Sequence, residues 1–265
     1  IHDDIEDRSA RRRGKAALHL VYGEDTAINA GAFLYILPLA CLEAWDGEAE
    51  AKNAIWALWA RHMRALHLGQ SMDIAWHRGE GLPSPSDYET MCSLKTGCLA
   101  RFAALLGAEA ALGPGTRESG SEAAIAGRAA EQWGVGFQIL DDVKNLTTGL
   151  PGKQRGDDIV EGKMSLPVLY FVWGPDPAAE SEADPERLAL VRRCCAAARS
   201  GGTGVPEVEE LISALAAAGS IGAAANRGRA LIGEASAALS ALPVRDRAAG
   251  RLLAELPAVL QERME

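Results

Sequence analysis

The spacing of apolar residues along the chain predicts helices. Between Ala27 and Trp45, and again between Asn53 and Trp76, apolar residues recur at steps of three and four, which brings them to one face of a helix. Alanine is abundant, and β-branched residues rarely alternate with polar ones, so the pattern predicts no strand. We therefore predict an all-α fold, a single bundle of roughly ten helices of typical length.

Local signals place some helix boundaries. Ser84-Pro85-Ser86-Asp87 combines an N-cap serine, a proline in the first turn and an acidic residue at the capping-box position, which predicts a helix from there to about Leu106. Glycine and proline clusters such as Gly113-Pro114-Gly115 mark loops. Helical patterning resumes on both sides of the polar segment from Pro175 to Glu186, so we predict one domain over residues 1–265.

Composition and charge exclude several classes of protein. With 265 residues, 48% of them hydrophobic, the chain can bury a large core, and its net charge of −9 argues against a nucleic-acid partner. No uninterrupted apolar stretch reaches the length of a membrane span, so we predict none. The five cysteines form no CxxC pair, which favours a reducing, cytoplasmic location.

Two acidic clusters carry the candidate chemistry. The first acidic cluster is Asp3, Asp4 and Asp7, and the second is Asp141, Asp142 and Asn145. Residues four apart share one face of a helix, and hard oxygen ligands without cysteine or paired histidine favour Mg²⁺. The alternative is two solvated acidic faces. The histidines at 62, 67 and 77 lack a zinc-ligand spacing, so we interpret them as core or surface residues.

Cationic residues follow both clusters. Arg12 and Arg13 lie two to three helical turns after the first cluster, and arginine donors match phosphate oxygens; a solvated basic patch at a helix C-terminus is the alternative. Lys153 and Lys163 lie on or after a glycine-rich loop that follows the second cluster in the sequence. They could supply a second group of phosphate ligands opposite the arginines.

A third motif lies inside the helix predicted after Ser84. A glycine there costs about 1 kcal/mol relative to alanine, so Lys95-Thr96-Gly97 indicates a local break that directs Thr96 into a cavity. An ordinary packing glycine is the alternative. Gln138, three residues before Asp141, faces the same side as that aspartate, or else caps a buried carbonyl group.

In order and spacing these motifs resemble trans-isoprenyl diphosphate synthases of the polyprenyl synthetase family, such as the geranylgeranyl and farnesyl diphosphate synthases. The resemblance covers residues 2–19, 69–73, 91–97, 137–145 and 152–167. It implies an isoprenoid synthase fold around a central cavity, three bound Mg²⁺ ions, a homodimer, and condensation of an allylic diphosphate with isopentenyl diphosphate through Mg²⁺-dependent ionisation.

The resemblance also assigns roles to residues. It implies metal ligation by Asp3, Asp4, Asp7, Asp141 and Asp142, and substrate binding by Arg12, Arg13, Lys95, Thr96, Gln138, Lys153 and Lys163. Arg12 and Lys95 would hold the allylic diphosphate, and Arg13 would reach toward isopentenyl diphosphate. The catalytic set would be Lys95, Thr96 and Gln138, which line the region of the carbocation.

Three departures from the family pattern change the expectations. Asn145 stands where the family has aspartate, which predicts weaker metal affinity, and Ala16 replaces a proline after the arginines. The family's glycine-lysine-arginine loop precedes the first aspartate motif, and the chain begins at Ile1 without it. We therefore expect that N-terminal helices of the domain are missing from this sequence.

Two other functions fit the same motifs. A class I terpene cyclase shares the metal-triggered ionisation, but it usually lacks paired arginines after the first motif. A non-catalytic subunit of a heteromeric synthase usually shows decay of the aspartates. The short first motif favours a geranylgeranyl or longer product, and Phe33 and Tyr35 are candidate floor residues, although their spacing also fits an ordinary core.

Overall fold

The computed structural model describes residues 1–112, 121–149, 154–175, 182–243 and 246–262. In chain order its helices are α1 (His2–Glu6), α2 (Leu18–Tyr22), α3 (Glu24–Ile36), α4 (Leu39–Ala44), α5 (Ala49–His77), α6 (Pro85–Cys92), α7 (Cys98–Leu112), α8 (Glu122–Thr147), α9 (Asp157–Glu161), α10 (Leu166–Trp173), α11 (Pro185–Gly201), α12 (Pro206–Ala217), α13 (Ser220–Ser240) and α14 (Arg247–Glu262). A π-helical turn, Ser93–Gly97, joins α6 to α7. The all-α prediction is confirmed.

The described part of the chain holds more helices than the ten predicted. Pro38 separates α3 from α4 within one apolar pattern, and the five-residue helices α1, α2 and α9 are too short to produce a periodic signal. Helix α8 is central, because it packs against α7, α13, α10, α6, α9 and the π-helical turn. This position carries the second acidic cluster into the interior of the bundle.

The arginine-rich segment forms a hairpin, which the sequence analysis did not predict. Strand β1 (Arg11–Arg12) pairs antiparallel with β2 (Lys15–Ala16). Arg13 and Gly14 between them have φ angles of 52° and 78°, and positive φ at both central residues defines the tight turn that joins two strands. The interpretation of this segment as part of a helix is therefore wrong. The hairpin turns Arg12 back toward α1.

The helix predicted to start at Ser84 begins as expected. The Ser84 hydroxyl accepts from the backbone N–H of Asp87 at 3.1 Å, and the Asp87 carboxylate accepts from the backbone N–H of Ser84 at 2.9 Å. The predicted break also occurs, because the π-helical turn covers Thr96 and Gly97. Short π-helical turns inside α-helices are frequent at functional sites.

Closely approaching helices surround this turn. A Cβ atom on Gly97 would lie 2.8 Å from the backbone oxygen of Glu131 on α8, and one on Gly134 would lie 2.8 Å from Cα of Gly97. A Cβ on Gly69 of α5 would lie 2.6 Å from the backbone nitrogen of Lys95. These three glycines let α5 and α8 approach the turn from both sides.

Two buried clusters hold the bundle together. One lies among α9, α10, α11 and α12 and includes Val172, Val191 and Leu211. The other surrounds α6 and α8 and includes Tyr88 and Ile139, which are at most 1% exposed. This second cluster supports the side of α8 that carries Asp142.

The stretch Glu24–Ala44, which comprises α3 and α4, is long and apolar enough to cross a membrane, with a mean hydropathy of 1.6. The bent pair α12 and α13 also passes this test if the two helices are counted as one span. The prediction of no membrane span stays a prediction, because this stretch passes the test by length and composition alone. Length and composition are weak evidence for a span, and a helix that packs against another protein chain can share both.

Candidate active site

An acidic pocket of about 200 Å³ joins the two acidic clusters. Carboxylates from both clusters and three cationic side chains are among the residues that line it: Asp3, Asp141, Asp142, Arg12, Lys95 and Lys163. The sequence analysis predicted all six as site residues. The bundle therefore brings together motifs that are as much as 160 positions apart in the chain.

Asp3 is surrounded by cations. Its carboxylate accepts from the Arg12 guanidinium at 2.8 Å, and the ammonium group of Lys95 lies 3.7 Å away. Burial opposes ionisation, but Lys95, Lys163 and Arg12 outweigh it and lower the pKa of Asp3 to about 2. Asp3 is therefore a carboxylate at neutral pH, which is the form that binds a metal ion.

Asp4 has different surroundings. It is 2% exposed, and its Oδ1 accepts from Arg12 Nε at 2.6 Å. It is not among the residues that line the acidic pocket. The structure therefore places Asp4, which the resemblance assigned to metal, against the arginine instead.

Lys163 links the first acidic cluster to helix α9. Its ammonium group lies 3.2 Å from Asp7 and 3.8 Å from Asp158, and it also pairs with Glu161. Burial opposes the charge of Lys163, but these carboxylates raise its pKa well above the ordinary value. Burial raises the pKa of Asp7, against the effect of Lys163. Asp158, the second carboxylate beside this lysine, lines the acidic pocket, whereas Asp7, which the resemblance assigned to metal, does not.

Asp142 in the second cluster is held at both oxygens. The Tyr88 hydroxyl donates to Oδ2 at 2.6 Å, and Nε2 of Gln138 donates to Oδ1 at 2.9 Å. Burial raises the pKa of Asp142 to about 6, although both hydrogen bonds oppose this shift. The oxygen of the Gln138 amide in turn accepts from the Thr96 hydroxyl at 2.9 Å. A continuous chain of hydrogen bonds thus joins the second cluster to the π-helical turn.

Asn145 takes no part in the lining of the acidic pocket. It is 1% exposed, and its side-chain oxygen accepts from the backbone N–H of Asp158 at 3.2 Å. This bond satisfies a backbone donor in the first turn of α9. The asparagine therefore helps to hold the short helix that carries Asp158 and Glu161.

The remaining predicted substrate-binding residues differ in their placement. Lys95, on the π-helical turn, donates to Asp73 of α5 at 2.6 Å. Burial disfavours the charge of Lys95, but Asp73 and Asp3 outweigh it and raise its pKa. Arg13 is exposed at the tip of the hairpin and does not line the pocket. Lys153 lies outside the described residues.

A large apolar cavity adjoins the acidic pocket. It measures about 890 Å³, and Asp3 and Lys95 line both spaces. Most of its lining is apolar and includes Leu39, Trp59, Met63, Leu66, Phe102 and Leu106. One molecule could therefore place a charged end in the acidic pocket and an apolar chain in the cavity.

Tyr35 and His67 are two neighbouring polar residues in the lining of this largely apolar cavity. Both line it, and their rings meet edge to face with centroids 5.0 Å apart. The histidine was interpreted only as a core or surface residue, because its partner lies on another helix. Of the two candidate floor residues, Tyr35 lines the cavity, whereas Phe33 does not and is 57% exposed.

Sequence reasoning missed Tyr88, Asp158 and Asp73 as site residues. Asp73 belongs to the segment 69–73 that resembles the family, and it follows Gln70 by one helical turn, so a signal was present. Tyr88 gave no such signal, because its hydrogen-bond partner is 54 positions away.

The donor atoms fit Mg²⁺, although no ligand set is complete. Among the described residues no group of three histidine, cysteine or acidic side chains is close enough to hold a metal ion alone. The pocket instead presents hard carboxylate oxygens on two sides, beside cations suited to phosphate. Such an arrangement suits Mg²⁺, which commonly takes one or two carboxylates and completes its shell with water and phosphate oxygens.

Known proteins share both the sequence motifs and the fold. A geranylgeranyl pyrophosphate synthase of Rhodocybe pseudopiperita is 33% identical over 211 residues, which are 76% of this chain and 58% of that protein. The quiannulatene synthase of Emericella variicolor is 33% identical over 180 residues, 67% of this chain and 22% of that protein. The chain thus spans between about a fifth and three fifths of the length of these curated relatives.

A solved structure covers nearly the whole chain. The geranylgeranyl pyrophosphate synthetase of Pyrococcus horikoshii matches 98% of this chain and 74% of its own, with 28% identity and a TM-score of 0.77. The polyprenyl synthetase family profile matches residues 1–186, which contain both acidic clusters and the lysine-threonine motif. The chain therefore belongs to the polyprenyl synthetase family.

Proposed function

We propose that this chain is the catalytic part of a trans-polyprenyl diphosphate synthase. It condenses an allylic diphosphate with isopentenyl diphosphate to give a longer trans-polyprenyl diphosphate. The observation that carries the proposal is the junction of the two spaces, because an acidic pocket lined by cations opens onto a large apolar cavity. A prenyl diphosphate has a polar end and an apolar end that match these two spaces.

The charged residues divide between metal and phosphate. Asp3, Asp141 and Asp142, which line the pocket, would hold Mg²⁺, three ions by resemblance to the family, and Arg12, Lys95 and Lys163 would bind the diphosphate. Asp7 would hold Lys163 in place. Bound Mg²⁺ supplies the positive charge that stabilises the departing diphosphate. Arg12 keeps its donors directed into the pocket because Asp4 holds its Nε.

The residues of the π-helical turn act on the hydrocarbon end. The Thr96 hydroxyl donates its hydrogen to Gln138, so the lone pairs of its oxygen remain available to the positive charge that develops on the allylic carbon. The double bond of isopentenyl diphosphate then forms the new carbon–carbon bond, and the released diphosphate accepts the proton. The growing chain would extend into the apolar cavity, which Tyr35 and His67 also line.

The partner and the cellular location are also part of this proposal. The exposed apolar side chains of α3 and α4 support a homodimer that covers this face, since the stretch Glu24–Ala44 is only 11% buried. Cysteines at five positions, all of them unpaired, support a cytoplasmic location.

Product analysis of the full chain tests this function. The protein is incubated with Mg²⁺ and dimethylallyl, geranyl or farnesyl diphosphate, each with and without isopentenyl diphosphate, and we expect elongated diphosphates only when both substrates are present. Asp3→Ala should lower kcat by about 100-fold or more, because it removes a ligand of the Mg²⁺ that would stabilise the departing diphosphate. Glu234→Ala, which removes an exposed carboxylate from α13, is the matched control.

Other results would identify the other candidates. Cyclic hydrocarbons formed without isopentenyl diphosphate would identify a class I terpene cyclase. Turnover that begins only when a second, different chain is added would identify a non-catalytic subunit. Full activity of Asp3→Ala would contradict the assignment of the acidic pocket.

A further inference from the structure

Tyr88 carries a buried hydroxyl for which the proposed reaction has no use. The residue is 1% exposed, and its hydroxyl donates to Oδ2 of Asp142 at 2.6 Å. A hydrogen bond to a carboxylate at this distance is among the stronger ones in proteins. The hydroxyl is therefore placed to fix the position of that carboxylate.

The position of Tyr88 is itself well determined. It lies in the first turn of α6, directly after the reciprocal hydrogen bonds of Ser84 and Asp87, and its backbone N–H donates to the oxygen of Ser84 at 3.1 Å. Its ring packs in the buried cluster around α6 and α8 with Ile139 and Leu169. Helix start and packing together leave the hydroxyl little freedom to move.

Asp142 passes this constraint on to the π-helical turn. Its second oxygen accepts from Gln138, and the Gln138 oxygen accepts from Thr96. Because a glutamine amide donates at one end and accepts at the other, the position of Asp142 decides which end of Gln138 meets Thr96. Tyr88 thus stands at the start of a chain of three hydrogen bonds that ends at the apolar cavity.

We propose that Tyr88 is a positioning residue that holds Asp142 in the orientation required for metal binding and, through Gln138, directs the oxygen of Thr96 toward the cavity. This inference rests on the proposed function, because the metal is the one that the reaction requires. Hydrogen-bond partners of metal-binding carboxylates commonly contribute about 10- to 100-fold to metal affinity.

Manganese binding tests the role of Tyr88 apart from turnover. The full chain is titrated with Mn²⁺ in the presence of inorganic diphosphate, and bound Mn²⁺ is followed by electron paramagnetic resonance. Tyr88→Phe removes only the hydroxyl and should raise the Kd for Mn²⁺ by about 10-fold or more. Tyr170→Phe is the matched control, because Tyr170 lies in the same buried cluster and has Glu89 and Arg227 as its charged neighbours.

The comparison separates positioning from packing. If Tyr88→Phe weakens Mn²⁺ binding and Tyr170→Phe does not, at equal urea midpoints of unfolding, the positioning role holds. If both variants bind Mn²⁺ within about twofold of the wild type, the proposal is overturned. A wild-type chain that elongates prenyl diphosphates would in that case leave the proposed function intact, so the two failures are distinguishable.

A double variant covers the case in which Tyr88→Phe loses stability. If the hydroxyl acts through Asp142, adding Tyr88→Phe to Asp142→Asn should change the Kd for Mn²⁺ by less than about twofold. A further loss of about 10-fold in that background would show that the tyrosine acts on the pocket by another route, and would overturn the proposal.

Discussion

Asp3 and Asp4 are neighbours in the chain but meet different surroundings. Asp3 lines the acidic pocket, whereas Asp4 is buried and bonded to Arg12 Nε at 2.6 Å. Adjacent residues on a helix are about 100° apart around its axis, which lets Asp3 face the pocket while Asp4 lies against Arg12. The two neighbours thus differ in role: Asp3 faces the acidic pocket, and Asp4 holds the arginine.

Substitution of the two aspartates should separate these roles. We expect Asp4→Asn to raise KM for the allylic diphosphate by about 10-fold, because a hydrogen bond to a charged group contributes about 1.5–3 kcal/mol. Its Kd for Mn²⁺ should stay within about twofold of the wild type, whereas Asp3→Asn should raise that Kd by about 10-fold. Steady-state kinetics and Mn²⁺ titration provide the two measurements, and equal losses of Mn²⁺ affinity would contradict the division.

The sequence reveals residue types better than residue orientations. Asp3, Asp141, Lys95 and Lys163 could be predicted because family motifs preserve their order, and the structure brings them to one pocket. The use of Asp4 by Arg12 could not, because it depends on the hairpin that reverses the chain. Tyr88 could not either, since nothing near position 88 indicates a partner on α8.

At the scale of elements, the π-helical turn depends on its glycine neighbours. The sequence analysis correctly associated Gly97 with a break in the helix, because glycine in a helix interior has an energetic cost. It could not identify Glu131 and Gly134 as the residues that approach it, since helix packing joins segments with no relation in the sequence. The sequence thus predicted the break at Gly97, and only the structure shows which residues contact it.

Substitution by alanine should have opposite effects on stability at Gly97 and at Gly107. Gly97→Ala places a methyl group 2.8 Å from a backbone oxygen of α8, so we expect a loss of stability of about 1–3 kcal/mol. Gly107→Ala in α7 meets nothing within 4 Å and should stabilise the protein by up to about 1 kcal/mol. Urea unfolding followed by circular dichroism measures both, and equal stability of the two variants would contradict the close approach.

At the scale of the whole molecule, helix α3 gives the bundle a strongly apolar exterior region. Large apolar side chains from α3 are about half exposed or more: Ile28, Phe33, Leu34 and Ile36. The spacing of apolar residues in the sequence predicted a helix here but could not show which side remains uncovered. That information comes from the packing of every other helix.

We expect this region to form the interface of a homodimer. Light scattering after size-exclusion chromatography should give twice the mass of the chain for the wild type. Ile36→Glu should give the monomer mass, because an unpaired carboxylate in an apolar interface is strongly unfavourable. Leu252→Glu on α14 changes an equally exposed apolar residue elsewhere and should leave the dimer intact. A wild-type monomer, or a dimer that survives Ile36→Glu, would exclude this interface.

The side-chain cations beside Asp3 and Asp7 make ligand binding an exchange of ions. Arg12 and Lys95 already neutralise Asp3, and Lys163 lies beside Asp7. Under the proposed function, a metal ion bound at Asp3 would displace these groups, which would then lack a counterion until diphosphate arrives. Metal and diphosphate would therefore increase each other's affinity, since linkage between two ligands is reciprocal. The uptake of the two would be coupled, and so would their release once the diphosphate has left the carbon chain.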